Sequence, residues 1–336
     1  MGRRGVLSAF FLLTALVLQA QADRKSMITY DNADSIAALY AGESLGNLPL
    51  LTRKLTKDLN TDEERFRSIY KWICDNIAYD HSMYLTNKRK RAKARSVDEL
   101  KGWNGGFSHS VLKTLRTKKR TVCTGYAYLL REMAALAGIT SMVIDGYGRN
   151  AASNIGGSGV PDHSWNAVKL GNKWYLCDPT WSTGYYDANT AQFVRSFNDV
   201  YFLAEPASFI TNHFPLDTAW ILMNSKPTLQ QFLNAPLFYA AAYPFSIKSL
   251  SPGTFTFVAA KDEPILFSFA AHAGKPIRKA EIFGARTDSP DKSYLNLIAD
   301  DRGLYQLEYR LHTKGEHVLH VLLENHCVFT YRVTVR

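Results

Sequence analysis

Asp162-His163-Ser164-Trp165-Asn166-Ala167-Val168-Lys169-Leu170-Gly171-Asn172-Lys173-Trp174-Tyr175-Leu176-Cys177-Asp178 reads as one β-hairpin. Gly171-Asn172 is a two-residue turn, which pairs Leu170 with Lys173 and makes partner numbers sum to 343. Trp165 then lies opposite Asp178. His163 sits two residues from Trp165 and shares its face. His163 and Asp178 become diagonal neighbours, roughly 7–8 Å apart at the backbone, a gap that two side chains can span. A slip of one residue would turn His163 to the other face. Asn166 falls on the face opposite His163, where it braces the strand.

Upstream, Thr121-Val122-Cys123-Thr124-Gly125-Tyr126 opens a helical pattern. Val122, Tyr126, Leu129, Leu130, Met133 and Ala137 recur at steps of three and four, which marks one buried face. Thr121 is placed to cap the start and Gly138 to end it. Cys123 then falls in the first turn, where unpaired N–H groups and the helix dipole favour an anion. The same N–H groups can bind an oxyanion. Singly, a helical Cys is a small buried hydrophobe and a strand His is a structural residue. Together, Cys123, His163 and Asp178 supply a nucleophile, a base and a carboxylate to orient it, as acyl transfer through a thioester requires.

These residues resemble the transglutaminase-like superfamily, with its papain-type Cys-His-Asp arrangement. Val122, Cys123, Gly125, Tyr126 and Ala127 match the family's nucleophile helix, with Thr121 where a glycine is usual. His163-Ser164-Trp165-Asn166 and Asp178-Pro179-Thr180-Trp181 match its second and third motifs. Trp72-Ile73, Asn76-Ile77 and Tyr79-Asp80 match an upstream helix. Tyr201-Phe202-Leu203, His213-Phe214-Pro215 and Trp220 look like the branch that includes kyphoscoliosis peptidase and exported bacterial relatives. The resemblance covers about residues 60–225. It implies an α+β, papain/transglutaminase-like core, a cysteine peptidase or amidase, and a side-chain oxyanion donor upstream of Cys123, for which Trp103 and His109 are candidates. A cross-linking transglutaminase and a non-catalytic cell-envelope scaffold stay open as alternatives.

Over the whole chain of 336 residues, 46% are hydrophobic, ample for packed cores. Arg3 and Arg4, the apolar run Val6–Leu18 and Ala20-Gln21-Ala22 read as a signal peptide over residues 1–22. Export to the periplasm, the cell surface or the medium follows. The run is short for a membrane span, and no later stretch is long and apolar enough to be one. The net charge of +10 falls to +8 without Arg3 and Arg4. Much of it sits in Lys88-Arg89-Lys90-Arg91 with Lys93 and Arg95, and in Lys113, Arg116, Lys118, Lys119 and Arg120. Such clusters are usually a solvated surface, and they also suit an anionic partner such as cell-envelope material beside a protein or peptide substrate. Nucleic acid is not an expected partner, since no binding motif occurs.

The four cysteines read as thiols rather than a disulfide framework, because a chain of this length needs no staples. No cofactor and no metal are expected, as neither C-x-x-C nor H-E-x-x-H occurs. Gly156-Gly157-Ser158-Gly159 lacks the Lys-Ser/Thr of a phosphate loop and reads as a mobile loop leading into His163.

Thr61-Asp62-Glu63-Glu64 is a capped start for a helix carrying Phe66, Ile69, Tyr70, Ile73 and Ile77. Asn87–Ser96 reads as a charged loop. Prolines 227, 236, 244 and 252 mark a junction, which divides the chain into residues 23–235, the transglutaminase-like domain, and residues 236–336. Beyond it, Phe255–Val258, Ile265–Phe269, Lys279–Phe283, Leu304–Arg310, Glu316–Leu323 and Phe329–Val335 alternate like strands. That spacing predicts an antiparallel β-sandwich of immunoglobulin type.

Overall fold

The computed structural model describes residues 29–336 apart from 94, 152, 188–189, 248, 272–276, 287–288, 295–297 and 300–302. The expected signal peptide, 1–22, lies outside the described residues.

Helices dominate the first part. α1 (Asp31–Leu39) and α2 (Leu48–Thr56) pack on α3 (Asp62–Asn76). Thr61 and Glu64 form a reciprocal capping box at the start of α3. Phe66, Ile69, Tyr70 and Ile73 lie along its inner face, and these residues and Ile77 are all fully buried. Arg67 of α3 is buried too, and pairs with Asp34 at 2.6 Å and with Asp199. β1 (Ala78–Tyr79) leads into α4 (His81–Lys93) and α5 (Val97–Lys118). β2 (Arg120–Thr121) then returns parallel to β1.

The stretch Asn87–Ser96 is therefore mostly helix rather than the expected loop. Ala, Lys and Arg are good helix formers, and the Asp80 carboxylate accepts from the Met83 N–H at 2.9 Å where the helix begins. No residue of α4 is buried, so no apolar periodicity announced it.

α6 (Cys123–Leu136) packs on a four-stranded antiparallel sheet made of β3 (Ser141–Gly148), β4 (His163–Leu170), β5 (Lys173–Cys177) and β8 (His213–Pro215). The strand order is β5-β4-β3-β8. The β4–β5 register has Leu170 opposite Lys173 and Asn166 opposite Cys177, the pairing expected from the Gly171-Asn172 turn. α7 (Pro179–Thr183), the hairpin of β6 (Gly184–Asp187) and β7 (Gln192–Arg195), α8 (Pro206–Phe209) and α9 (Leu229–Asn234) complete this part. Residues 153–162 make hydrogen bonds to their surroundings. The Asn154 amide donates to the carbonyls of Gly148 and Val160, both at 3.0 Å, and Gly156 N–H donates to Leu233 at 2.8 Å.

The remainder is β structure. One sheet joins β10 (Ser249–Ser251), β12 (Pro264–Ala270), β16 (Leu304–Arg310) and β15 (Ile298–Ala299). The other joins β11 (Thr256–Ala259), β18 (His326–Val335), β17 (Gly315–Leu323), β13 (Ala280–Arg286) and β14 (Ser289–Tyr294), with β9 (Leu237–Phe238) beside β18. Every ladder is antiparallel except β11–β18, which is parallel and corrects the all-antiparallel expectation. Two strands that each pack alternate residues can pair either way, so alternation alone does not set direction. Phe267, Phe269, Leu307 and Tyr309 from the first sheet share one apolar cluster with Ile282, Leu319, Val321, Phe329 and Tyr331 from the second.

Candidate active site

The Cys123 sulfur is placed by the chain on both sides of it. Thr121 pairs with Tyr79 across β1–β2, and Val122 is the extended N-cap, so Cys123 is the first residue of α6. Thr121 does not cap the helix as expected; its hydroxyl makes no hydrogen bond. It packs instead over Gly125, where an added Cβ would lie 1.8 Å from Thr121 Oγ1. The first intrahelical bond runs from Gly125 N–H to Val122 O, leaving the N–H groups of Cys123 and Thr124 ahead of it. Gly138, with φ of +76°, follows the helix end as expected. Cys123 is half-buried, with Sγ 4.0 Å from the Asp162 carbonyl oxygen.

His163 opens β4 and is 9% exposed. Its Nε2 lies 2.7 Å from Asp178 Oδ2. The Cys123 thiol is near enough to the imidazole to help raise its pKa. Asp178 is fully buried and caps α7: Oδ1 accepts from the N–H groups of Thr180 at 2.7 Å and Trp181 at 3.3 Å. The hairpin thus brings His163 to Asp178, and the packing of α6 on β4 brings Cys123 to His163.

A second histidine, unassigned by sequence reasoning beyond its place in a resembling motif, shares the carboxylate. His213 Nε2 lies 3.0 Å from the same Asp178 Oδ2, and His213 is 1% exposed. Strand β3 lies between the two histidines: Gly146 pairs with His163 on β4, and Gly148 pairs with His213 on β8. A Cβ at Gly148 would sit 2.8 Å from that of His163. The bare strand lets the two rings approach to 5.3 Å between centroids. Gly146-Tyr147-Gly148 was the available signal, since alternating glycines in a buried strand mark a close approach.

The site's charges are interdependent. Burial alone would raise the Asp178 carboxyl, but His163 and the hydrogen bond from His213 outweigh it and hold the group well below the usual carboxylate range. Burial opposes the His163 imidazolium, yet Asp178 and Cys123 raise its pKa well above the ordinary value. His213 goes the other way: burial drives it down to about 4. Asp162 is pushed up by burial although its Oδ1 accepts from Gly148 N–H at 3.1 Å and Asn154 Nδ2 at 3.0 Å.

His163, Asp178 and His213 have donor atoms within 4.8 Å of one another, close enough to suggest a metal. Both imidazoles instead point at one carboxylate oxygen at hydrogen-bond distance, and an ion would have to separate them. Trp103 donates its indole N–H to Asn87 at 2.9 Å, and His109 is exposed; among the described residues neither makes a hydrogen bond to Cys123, whose sulfur meets the Asp162 carbonyl. Trp165 is buried, and Trp174 and Trp181 pack beside it. Cys74, Cys123, Cys177 and Cys327 are free thiols. Among the described residues, no helix is long and apolar enough to cross a membrane.

A helix that begins at Cys123, packed on the strand that carries His163, places this chain in a recognisable group. Residues 50–179 match the family model described as transglutaminase-like superfamily. The chain is a transglutaminase-like superfamily protein related to kyphoscoliosis peptidase. The Homo sapiens kyphoscoliosis peptidase is 34% identical over 227 residues, covering 67% of this chain and 31% of that protein. The Mus musculus protein is 34% identical over 206 residues, covering 61% and 28%. Hillarin of Drosophila melanogaster is 26% identical over 223 residues, covering 62% and 25%. The chain therefore spans less than a third of the length of these relatives. Among solved structures, a TGase aligns with TM-score 0.28 and 14% identity over 51% of this chain and 38% of that one. The Lin-41 filamin domain aligns with TM-score 0.22 and 13% identity over 26% and 90%.

Proposed function

We propose that this chain is an exported cysteine peptidase or amidase in which Cys123, His163 and Asp178 form the catalytic triad. The observation that carries the reading is the 2.7 Å contact from His163 Nε2 to Asp178, with Cys123 near enough to help raise the imidazole's pKa. His163 takes the thiol proton, and the thiolate attacks a substrate carbonyl carbon. The carbonyl π electrons move to oxygen, where the N–H groups of the first helical turn can receive them. Collapse expels the amine, which takes its proton from His163, and leaves a thioester on Cys123. Water then attacks the thioester, returns a proton to His163 and releases the acid. Asp178 holds the imidazole tautomer throughout.

In this reading residues 1–22 are a removable signal, 23–235 the catalytic domain and 236–336 an immunoglobulin-like sandwich. The separate apolar cluster running from Ala242 to Val335 supports the last division. The substrate is a protein or peptide, and the basic clusters of α4 and α5 favour an anionic one. Arg91, which donates to the Pro161 carbonyl at 3.3 Å, sets that charge next to Asp162 and His163.

The test is an acyl-enzyme trap. Purified protein is mixed with acidic peptide libraries, quenched and examined by mass spectrometry for a thioester on Cys123. Hydrolysed peptide supports the peptidase, whereas amine incorporation from added cadaverine would assign a cross-linker. No adduct and no labelling of Cys123 by a thiol-reactive amide probe would refute both and favour a scaffold.

A further inference from the structure

We propose that His213 is a positioning residue for Asp178, donating through Nε2 to the oxygen that also holds His163, with its tautomer set by Asn212 and Tyr243. The proposal rests on the triad reading above and adds a second imidazole to it.

An ionised carboxylate only accepts hydrogen bonds. Asp178 Oδ2 has His163 Nε2 at 2.7 Å and His213 Nε2 at 3.0 Å, so both nitrogens carry a proton. Burial favours the neutral His213 ring, and in that form its Nδ1 is bare. That Nδ1 meets the Asn212 side-chain amide at 2.6 Å. Two acceptors cannot face each other at this distance, so the amide must turn its NH2 toward the ring. The hydroxyls of Tyr201, at 3.2 Å, and Tyr243, at 2.7 Å, contact the two ends of the same amide. A hydroxyl both donates and accepts, so both contacts survive the turn: Tyr201 donates to the amide oxygen and Tyr243 accepts from the NH2.

Every polar atom of His213 and Asn212 at these contacts is then satisfied. The ring is clamped as well, stacked on Phe209 at 4.0 Å and 19°, with Trp181 at 4.4 Å. Tyr243 lies in the 3-10 turn Ala240–Phe245, past the proposed boundary at 235/236. Orientation of Asp178 is therefore set in part by the chain's carboxy-terminal portion.

The experiment uses the full-length protein with 15N-labelled histidine. Near neutral pH the His213 signals are expected to report a protonated Nε2 and a bare, hydrogen-bonded Nδ1. Tyr243→Phe removes one hydroxyl and shifts the Nδ1 signal. His213→Phe keeps an aromatic ring but loses the donor. It is expected to displace the His163 Nε2–H signal and to slow alkylation of Cys123 by iodoacetamide about tenfold, the size of one hydrogen bond to a charged group. His213→Gln keeps a donor and recovers most of the rate. A bare Nε2 or an imidazolium at His213 in the unmodified protein would overturn the proposal. So would equal losses in the Phe and Gln variants, or an unmoved His163 signal in His213→Phe. If His213→Phe does not fold, the Gln and Tyr243→Phe variants decide through the same signals. An ordinary, unactivated Cys123 in the unmodified protein would instead sink the triad reading, while the His163 signal still decides whether His213 positions Asp178.

Discussion

Asn166 donates its side-chain amide to the Ala127 carbonyl at 2.9 Å, and this bond ties the strand bearing His163 to the helix bearing Cys123. Both residues are fully buried. Asn166→Ala should cost about 1–3 kcal/mol, the range for a buried polar group left without its partner. Urea unfolding reads the loss. Alkylation of Cys123 should slow as well, because sulfur and imidazole lose their common brace. A variant as stable as the parent would show that apolar packing alone sets the helix on the sheet.

Cys123→Ala should remove peptide turnover and leave the unfolding transition nearly unchanged. The side chain is half-buried, and a methyl group fits the first turn. Residual turnover above about a hundredth of the parent rate would take Cys123 out of the mechanism.

Asp178→Asn strikes two functions at once. The amide oxygen can still accept from Thr180 and cap α7, but the NH2 then faces the N–H groups of two imidazoles. We expect at least about a hundredfold loss of turnover from the wrong tautomer and a stability loss of about 1–3 kcal/mol. Unaltered kinetics would remove the carboxylate from the reaction.

The two histidines give opposite pH dependences. His213 is depressed from 6.5 to about 4, so the folded state binds fewer protons than the unfolded chain between those values. Its contribution is full above pH 6.5 and is lost as pH falls toward 4, a change on the order of 3 kcal/mol. His163 is raised, so its contribution is full below 6.5 and is lost as pH climbs through its folded pKa. Stability from this pair should therefore peak near pH 6.5. Denaturant unfolding across pH measures it, and His213→Phe should flatten the acid side alone. A parent protein equally stable at pH 4 and 6.5 would contradict the neutral assignment of His213.

The charge on α4 should act at long range. Lys88, Arg89, Lys90 and Arg91 have no acidic partner within 4 Å among the ion pairs of the described residues. The Debye length shrinks from about 10 Å at 0.1 M salt to about 3 Å at 1 M. With an acidic peptide, kcat/KM should fall with salt while kcat changes less. Replacing the four residues with Gln should reproduce the high-salt rate. A salt-independent kcat/KM would mark these charges as solvated surface.

The meeting of His163 with Asp178 was legible because a two-residue turn fixes register, and register fixes which side chains share a face. The α6 face was legible for the same kind of reason, a regular period ending at Gly138. His213 was not. It lies 35 residues from Asp178 on a strand of three residues, too short to show alternation, and it meets the site only through the β3–β8 pairing. α4 has no sequence signature of this kind, because a helix without a buried face leaves no apolar period. Position alone makes Thr121 a cap candidate, whereas Gly125 gives its side chain a place to pack.

Arg149 is 1% exposed and spends its guanidinium on main-chain carbonyls: Asn154 at 3.1 Å, Pro236 at 2.6 Å and Ala235. Burial lowers it to about 10, yet it remains a cation at neutral pH. The proposed boundary at 235/236 thus runs through the seat of a buried charge. A cut there would strand that charge and deprive the Asn212 amide of Tyr243 in the same stroke. The two parts are separable as text but not as objects: exchange of the β sheets for another module would have to reproduce a carbonyl pair and a phenol in place.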